Sequence, residues 1–178
     1  MDLVEQTLSS EKIFDGHILH VLLDTVRLPN GENAAREVVD HPGGVCVQAW
    51  DEENKALLVS QFRYPYEQVL REVPAGKLEY GEDPREAAIR ELKEETGAVA
   101  GDFRSMGELY PSPGYCAEVI RMYLARDLTF GETHLDKDEF LNLERIPFGQ
   151  LVEQVLSGEI KDAKTIAVVL KAKLLLGL

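Results

Sequence analysis

The chain has 178 residues, 44% hydrophobic and 29% charged, a globular mix long enough to bury a core in one domain. Its 32 acidic residues against 19 basic give a net charge of −13. That charge repels nucleic acid and anionic membrane surfaces, yet a metal ion can still bring in a small phosphate ligand by supplying positive charge locally. No apolar run reaches the roughly 18 residues of a membrane helix, and MDLVEQTLSSEK is not a secretory signal. Cys46 and Cys116 form neither a disulfide framework nor a metal motif. A reduced, cytoplasmic protein is expected, with both thiols buried as small apolar residues.

The first half reads as strands. Residues 17–28 (HILHVLLDTVRL) are apolar and rich in β-formers, and Leu28-Pro29-Asn30-Gly31 signals a turn. A second strand at about Ala34–Asp40 completes a hairpin over 17–40. Gly43-Gly44 interrupts the chain before the strand GVCVQAW. KALLVSQFR follows the polar turn Asp51–Asn54, and VLREV ends at Pro74. The period then changes. Asp83-Pro84-Arg85-Glu86 is a helix start, with Asp as cap, Pro at the first helical position and Glu at the third, and Gly97 is the stop. Further strands are expected at about 103–110, 118–126 and 139–146, then helices over Phe148–Leu156 and Ala163–Leu176. This order is α+β.

On the central helix, Ile89 and Leu92 are expected to form the apolar stripe, with Ala88 at its edge. Glu91, Glu94 and Glu95 share an adjoining face, and Glu91 and Glu95 stack one turn apart. Such an oxygen-rich cluster suits a hard cation, Mg²⁺ or Mn²⁺, although a solvated acidic face would look the same. His17, His20, His41 and His134 show no ligand spacing.

The segment from Gly76 to Ala98 resembles the Nudix box, G-x5-E-x7-R-E-U-x-E-E-x-G-U with U an aliphatic residue. Gly76, Glu82, Arg90, Glu91, Leu92, Glu94, Glu95 and Gly97 fill its specified positions. Ala98 stands at the last, where a larger side chain is usual. The resemblance implies the Nudix fold, a mixed β-sheet sandwiched between helices, preceded by an N-terminal β-hairpin region at 1–40, with the hydrolase domain at 41–178. It implies Glu91 and Glu95 as principal metal ligands. Glu94 is implied as a further ligand or supporting group, and the Ala75 carbonyl completes the site. Glu82 and Arg90 resemble a pair that orients the carboxylates.

Gln61-Phe62-Arg63-Tyr64-Pro65 and Glu72-Val73-Pro74-Ala75-Gly76 are similar to the ADP-ribose pyrophosphatase branch. So is Pro113, fifteen residues beyond Ala98 in Ser112-Pro113-Gly114. That branch implies hydrolysis of ADP-ribose to AMP and ribose 5-phosphate by a homodimer in which residues 1–40 meet the second subunit. Other nucleoside diphosphate derivatives, such as nucleotide sugars or dinucleoside polyphosphates, remain alternatives, as does a non-catalytic nucleotide sensor. Arg36 and Arg63 are candidate substrate contacts because an arginine fork matches phosphate geometry. Gly76, Ser112, Pro113 and Gly114 are further substrate-site candidates. The general base is expected in the acidic segment Asp136-Lys137-Asp138-Glu139, at Glu139 in one register or Asp138 in the other, with Glu94 or Glu82 next in line.

Overall fold

The computed structural model describes residues 3–135, 137 and 139–177. The chain divides into two compact units, residues 1–43 with 110–119, and residues 44–109 with 120–178.

The first unit is an antiparallel sheet ordered β1 (Gln6–Asp15), β2 (His20–Arg27) and β3 (Asn33–Asp40). The β2–β3 hairpin is the expected one. Strand β1 is an addition. QTLSSEKIFD is exposed along its whole length and carries no alternation of apolar and polar residues. Its strand state comes from pairing with β2, from Gln6 opposite Arg27 to Asp15 opposite His20, and context of this kind outweighs intrinsic β-propensity. The segment 110–119 runs along β3. The Val39 N–H donates to the Tyr115 carbonyl (2.7 Å), and the Ala117 N–H donates to the Val39 carbonyl (2.9 Å). This pairing leaves Cys116 only half-buried, not buried as its residue type suggested.

The second unit contains β4 (Gly44–Ala49), β5 (Lys55–Arg63), a 3-10 turn (Tyr64–Tyr66), β6 (Gln68–Glu72), β7 (Ala75–Lys77), α1 (Pro84–Thr96), β8 (Ala98–Leu109), β9 (Ile120–Phe130), β10 (Leu141–Pro147), α2 (Phe148–Ser157) and α3 (Ala163–Leu176). One sheet is ordered β7-β4-β9-β8 and is mixed, with β4 parallel to β9 and the other pairs antiparallel. The other sheet is ordered β10-β5-β6. All six residues of β4 are buried, as a strand covered on both faces requires. Val45, Val47 and Ala49 join Ala87, Ala88 and Leu92 of α1 in one core cluster. Cys46 and Trp50 join Leu151, Val152, Val168 and Val169 of α2 and α3 in the other. The mixed sheet is therefore sandwiched between helices, as expected. Among the described residues, no helix is long and apolar enough to cross a membrane.

Helix α1 is capped as its sequence dictates. The Asp83 carboxylate accepts from the Arg85 and Glu86 N–H groups (2.9 and 3.1 Å), and Pro84 opens the first turn. Gly97 closes the helix at φ +69°, a conformation that disfavours side chains. A Cβ at Gly97 would also lie 2.4 Å from the Gly131 carbonyl.

The buried face of α1 differs from the expected one. It consists of Ala87, Ala88, Leu92, Glu95 and Thr96, whereas Ile89 is only partly buried. The small alanines let the helix approach β4 closely and turn the carboxylate row inward. Glu95 therefore belongs to the buried face rather than to a solvated one beside it.

Candidate active site

Glu95 is 2% exposed, and its Oε2 accepts from the Ala75 N–H of β7 (3.1 Å). One turn earlier, the Glu91 carboxylate lies over Gly76. A Cβ at position 76 would fall 2.0 Å from both Cδ and Oε1 of Glu91. Only glycine permits this approach, so the backbone of β7 and the two carboxylates of α1 form one close-fitting group.

Arg90 ties the rest of the helix face together. Its Nη1 donates to Glu91 Oε1 (3.0 Å) and to Glu94 Oε2 (2.9 Å), while Nε and Nη2 donate to Glu82 Oε1 (3.2 and 3.1 Å). Glu82 Oε2 accepts from the Glu79 N–H (3.0 Å). That bond, with the Arg90 pairing, holds the Glu82 carboxyl below its ordinary range.

Gly131 and His134 are anchored on the end of α1. The Gly131 N–H donates to the Gly97 carbonyl (2.8 Å), and the His134 N–H donates to the Glu94 carbonyl (2.9 Å). Glu139 stands near enough to act on both helix carboxylates. Burial, then the neighbouring charges of Glu139 and Glu91, pushes the Glu95 carboxyl up to about 8. Burial is also the main cause of the upward shift at Glu91, with Arg90 opposing it.

A second ionic group adjoins Glu95, and sequence reasoning missed most of it. Glu72, 2% exposed, receives a two-pronged bond from Arg63, Nε to Oε1 and Nη2 to Oε2, both 2.7 Å. Lys164 Nζ also donates to Glu72 Oε2, and it donates to Asp162 Oδ1 (3.0 Å). Burial works against the Glu72 charge, but Arg63 and Lys164 overcome it and hold the carboxyl down to about 2. Arg63 and Glu72 were marked in the sequence without being paired, and Lys164 was not marked at all, because its bond to Glu72 spans 92 positions.

The expected site residues divide as follows. Glu91, Glu94, Glu95, Ala75, Gly76, Arg63 and Glu139 all lie in the second unit, with Glu95 near enough to contribute to the electrostatics of Arg63. Arg36, Ser112, Pro113 and Gly114 lie in the first unit. Arg36 is held there by Glu5, with Nε to Oε2 2.9 Å and Nη2 to Oε1 2.5 Å. Ser112–Cys116 form a turn closed by the Cys116 N–H on the Ser112 carbonyl (3.0 Å). Asp138 lies outside the described residues.

The group fits a divalent cation by its chemistry. Its donors are carboxylate and carbonyl oxygens, the set hard cations prefer. Burial raises both the Glu95 and the Glu91 carboxyls and neighbouring carboxylates add to the shift, so a bound cation would favour their charged forms. Among the described residues, no three Asp, Glu, His or Cys side chains already form a cage. Arg90 occupies Glu91 and Glu94 instead, so binding requires those carboxylates to reorient.

A carboxylate helix packed over a glycine strand within this sheet sandwich defines a class, and the comparisons agree. A model of the NUDIX domain matches residues 40–169, and the chain belongs to that family. A second model, the nucleoside diphosphate sugar hydrolase N-terminal domain, matches residues 5–39. The chain is 42% identical over 165 residues to an ADP-ribose pyrophosphatase of Bacillus subtilis (strain 168), covering 92% of this chain and 89% of that one. It is 41% identical over 167 residues to a methanol dehydrogenase activator of Bacillus methanolicus, covering 93% and 90%. A crystal structure of an ADP compounds hydrolase matches 99% of this chain and 97% of its own with a TM-score of 0.86; at 21% identity this likeness carries the fold alone.

Proposed function

We propose that the protein is a divalent-metal-dependent ADP-ribose pyrophosphatase, cleaving the diphosphate of ADP-ribose to AMP and ribose 5-phosphate. One observation supports this above the others: the buried Glu95 and the half-buried Glu91 lie together over the Ala75–Gly76 backbone, with Glu139 close enough to act on both. The 42% identical relative named for this activity supports the choice of substrate.

In this reading Glu91, Glu95 and the Ala75 carbonyl hold Mg²⁺ or Mn²⁺, with Glu94 as a further ligand. When bound, the cation neutralises diphosphate charge and lowers the pKa of a water molecule. Glu139 accepts the proton of the attacking water at a carboxylate oxygen, and Asp138 is its alternative. A carboxylate already ligating a cation is a poor base, which favours a group from another segment. Glu82, through Arg90, keeps the helix carboxylates in place. Arg63 contacts phosphate oxygens, and Gly76 gives the substrate a close approach to the backbone. Residues 1–40 form the contact of a homodimer, and the setting is cytoplasmic.

The test is product release from ADP-ribose, ADP-glucose, a diadenosine polyphosphate and an oxidised dGTP, each with Mg²⁺ and Mn²⁺. ADP-ribose should be cleaved with the highest kcat/KM. Preference for another substrate would overturn the substrate assignment. Absence of turnover with all four would overturn the hydrolase reading.

A further inference from the structure

We propose that Lys164 is a positioning residue, which clamps the chain from Glu72 to Ala75 against the first turn of α3 and so fixes the Ala75 peptide beneath Glu95. The inference rests on the reading of Glu91, Glu95 and Ala75 as a cation site.

Four consecutive residues before the box helix are each anchored. The Glu72 carboxylate is held by Lys164 and Arg63. The Val73 N–H donates to Thr165 Oγ1 (3.0 Å), the Pro74 carbonyl accepts from the Val47 N–H (2.9 Å), and the Ala75 N–H reaches Glu95 (3.1 Å). Two of these anchors come from the first turn of α3. Asp162 organises that turn, accepting from the Thr165 N–H (2.9 Å), from Thr165 Oγ1 (2.7 Å) and from Lys164 (3.0 Å). The Lys164 side chain is 12% exposed, so no water stands in for it freely.

Glu72, Asp162, Arg63 and Lys164 form a quartet with no net charge. Without Lys164, a buried carboxylate loses a partner, and the quartet carries an uncompensated negative charge next to Glu95. Glu72 then has only Arg63 to hold it, and the register of residues 72–75 against α3 loosens. A shift of Ala75 and Gly76 displaces the Glu91 carboxylate as well, because it lies against Gly76.

The test compares Lys164→Met, Lys164→Arg and Val168→Ala with the wild-type chain, reading Mn²⁺ affinity by electron paramagnetic resonance, then kcat and KM, then Tm. Val168 is fully buried one turn after Lys164 and takes part in none of the quartet's hydrogen bonds, so its truncation lowers Tm while leaving those bonds in place. Lys164→Met should weaken Mn²⁺ binding by about 10–100-fold, the range for losing a group that supports a metal site. Lys164→Arg should stay within about threefold of wild type, because a guanidinium can span the same two carboxylates. Val168→Ala should bind Mn²⁺ as wild type does. Should Lys164→Met not fold, the Glu72→Gln/Lys164→Met double variant removes the stranded charge, and the same weakening is expected of it.

Unchanged Mn²⁺ affinity in the folded Lys164→Met or double variant overturns the inference, as does equal weakening in Val168→Ala. A wild-type chain that binds no Mn²⁺ overturns both the inference and the cation site beneath it. A wild-type chain that binds Mn²⁺ but does not cleave ADP-ribose, with the Lys164→Met weakening intact, sinks the substrate assignment and leaves the clamp standing.

Discussion

Gly76→Ala separates stability from function at this site. The new methyl carbon would sit 2.0 Å from Glu91 Cδ and Oε1, where ordinary contact needs about 3.4 Å or more. The Glu91 carboxylate must therefore move by more than about 1 Å. It is the far end of a flexible side chain, 14% exposed, so it can swing aside instead of forcing the backbone to move. The movement costs an off-rotamer strain of about 0.5–1.5 kcal/mol. It also loses the Arg90–Glu91 bond (3.0 Å), worth about 0.2–1 kcal/mol with Arg90 partly in solvent. The total is about 1–2 kcal/mol, or roughly 2–8 °C in Tm for a chain of this size. Catalysis should suffer far more, since a 1 Å misplacement of a catalytic group costs about 100-fold. Differential scanning calorimetry with steady-state kinetics on ADP-ribose and Mg²⁺ would measure both. A kcat within threefold of wild type refutes the placement of Glu91. A Tm loss well beyond 8 °C refutes the argument that the side chain, not the backbone, yields.

Glu91→Gln and Glu95→Gln should each lower turnover by at least about 100-fold while the chain stays folded; near wild-type rates in both would remove them as ligands. In chelator, Glu95→Gln should be more stable than wild type at pH 9: the folded carboxyl titrates near 8 against 4.5 unfolded, so wild-type stability falls as pH rises from about 4.5 to 8 and the variant lacks that fall. A chelated variant no more stable than wild type at pH 9, by urea unfolding, would contradict it. Glu72 has the opposite sign: its carboxyl drops from 4.5 to about 2, giving about 3 kcal/mol that is present above pH 4.5 and lost as pH falls toward 2, a loss urea titrations should find missing in Glu72→Gln. Glu139→Gln should cut kcat by about 10²–10⁴-fold with little change in KM; if only Asp138→Asn does so, the base is one residue earlier.

Local chemistry determined α1 outright. The Asp83 cap, Pro84, the carboxylate spacing and the Gly97 stop each act within one or two helical turns, and all are visible in the sequence. The β2–β3 hairpin, α2 and α3 were legible for the same reason. Strand β1 and the three-residue β7 were not, because exposed polar residues and a short Ala-Gly-Lys run become strands only by pairing with a neighbour. Tertiary structure also decided which face of α1 is buried: Ala87 and Ala88 allow close packing on β4, and that packing, not the apolar count of Ile89 and Leu92, takes Glu95 out of water. The crowding of Glu91 on Gly76 and the bonding of Lys164 to Glu72 join residues 15 and 92 positions apart. The box fixes the spacing of Gly76 and Glu91 but not their contact, and nothing in the sequence pairs Lys164 with Glu72; both contacts exist only once the sheets have brought β6, β7, α1 and α3 together.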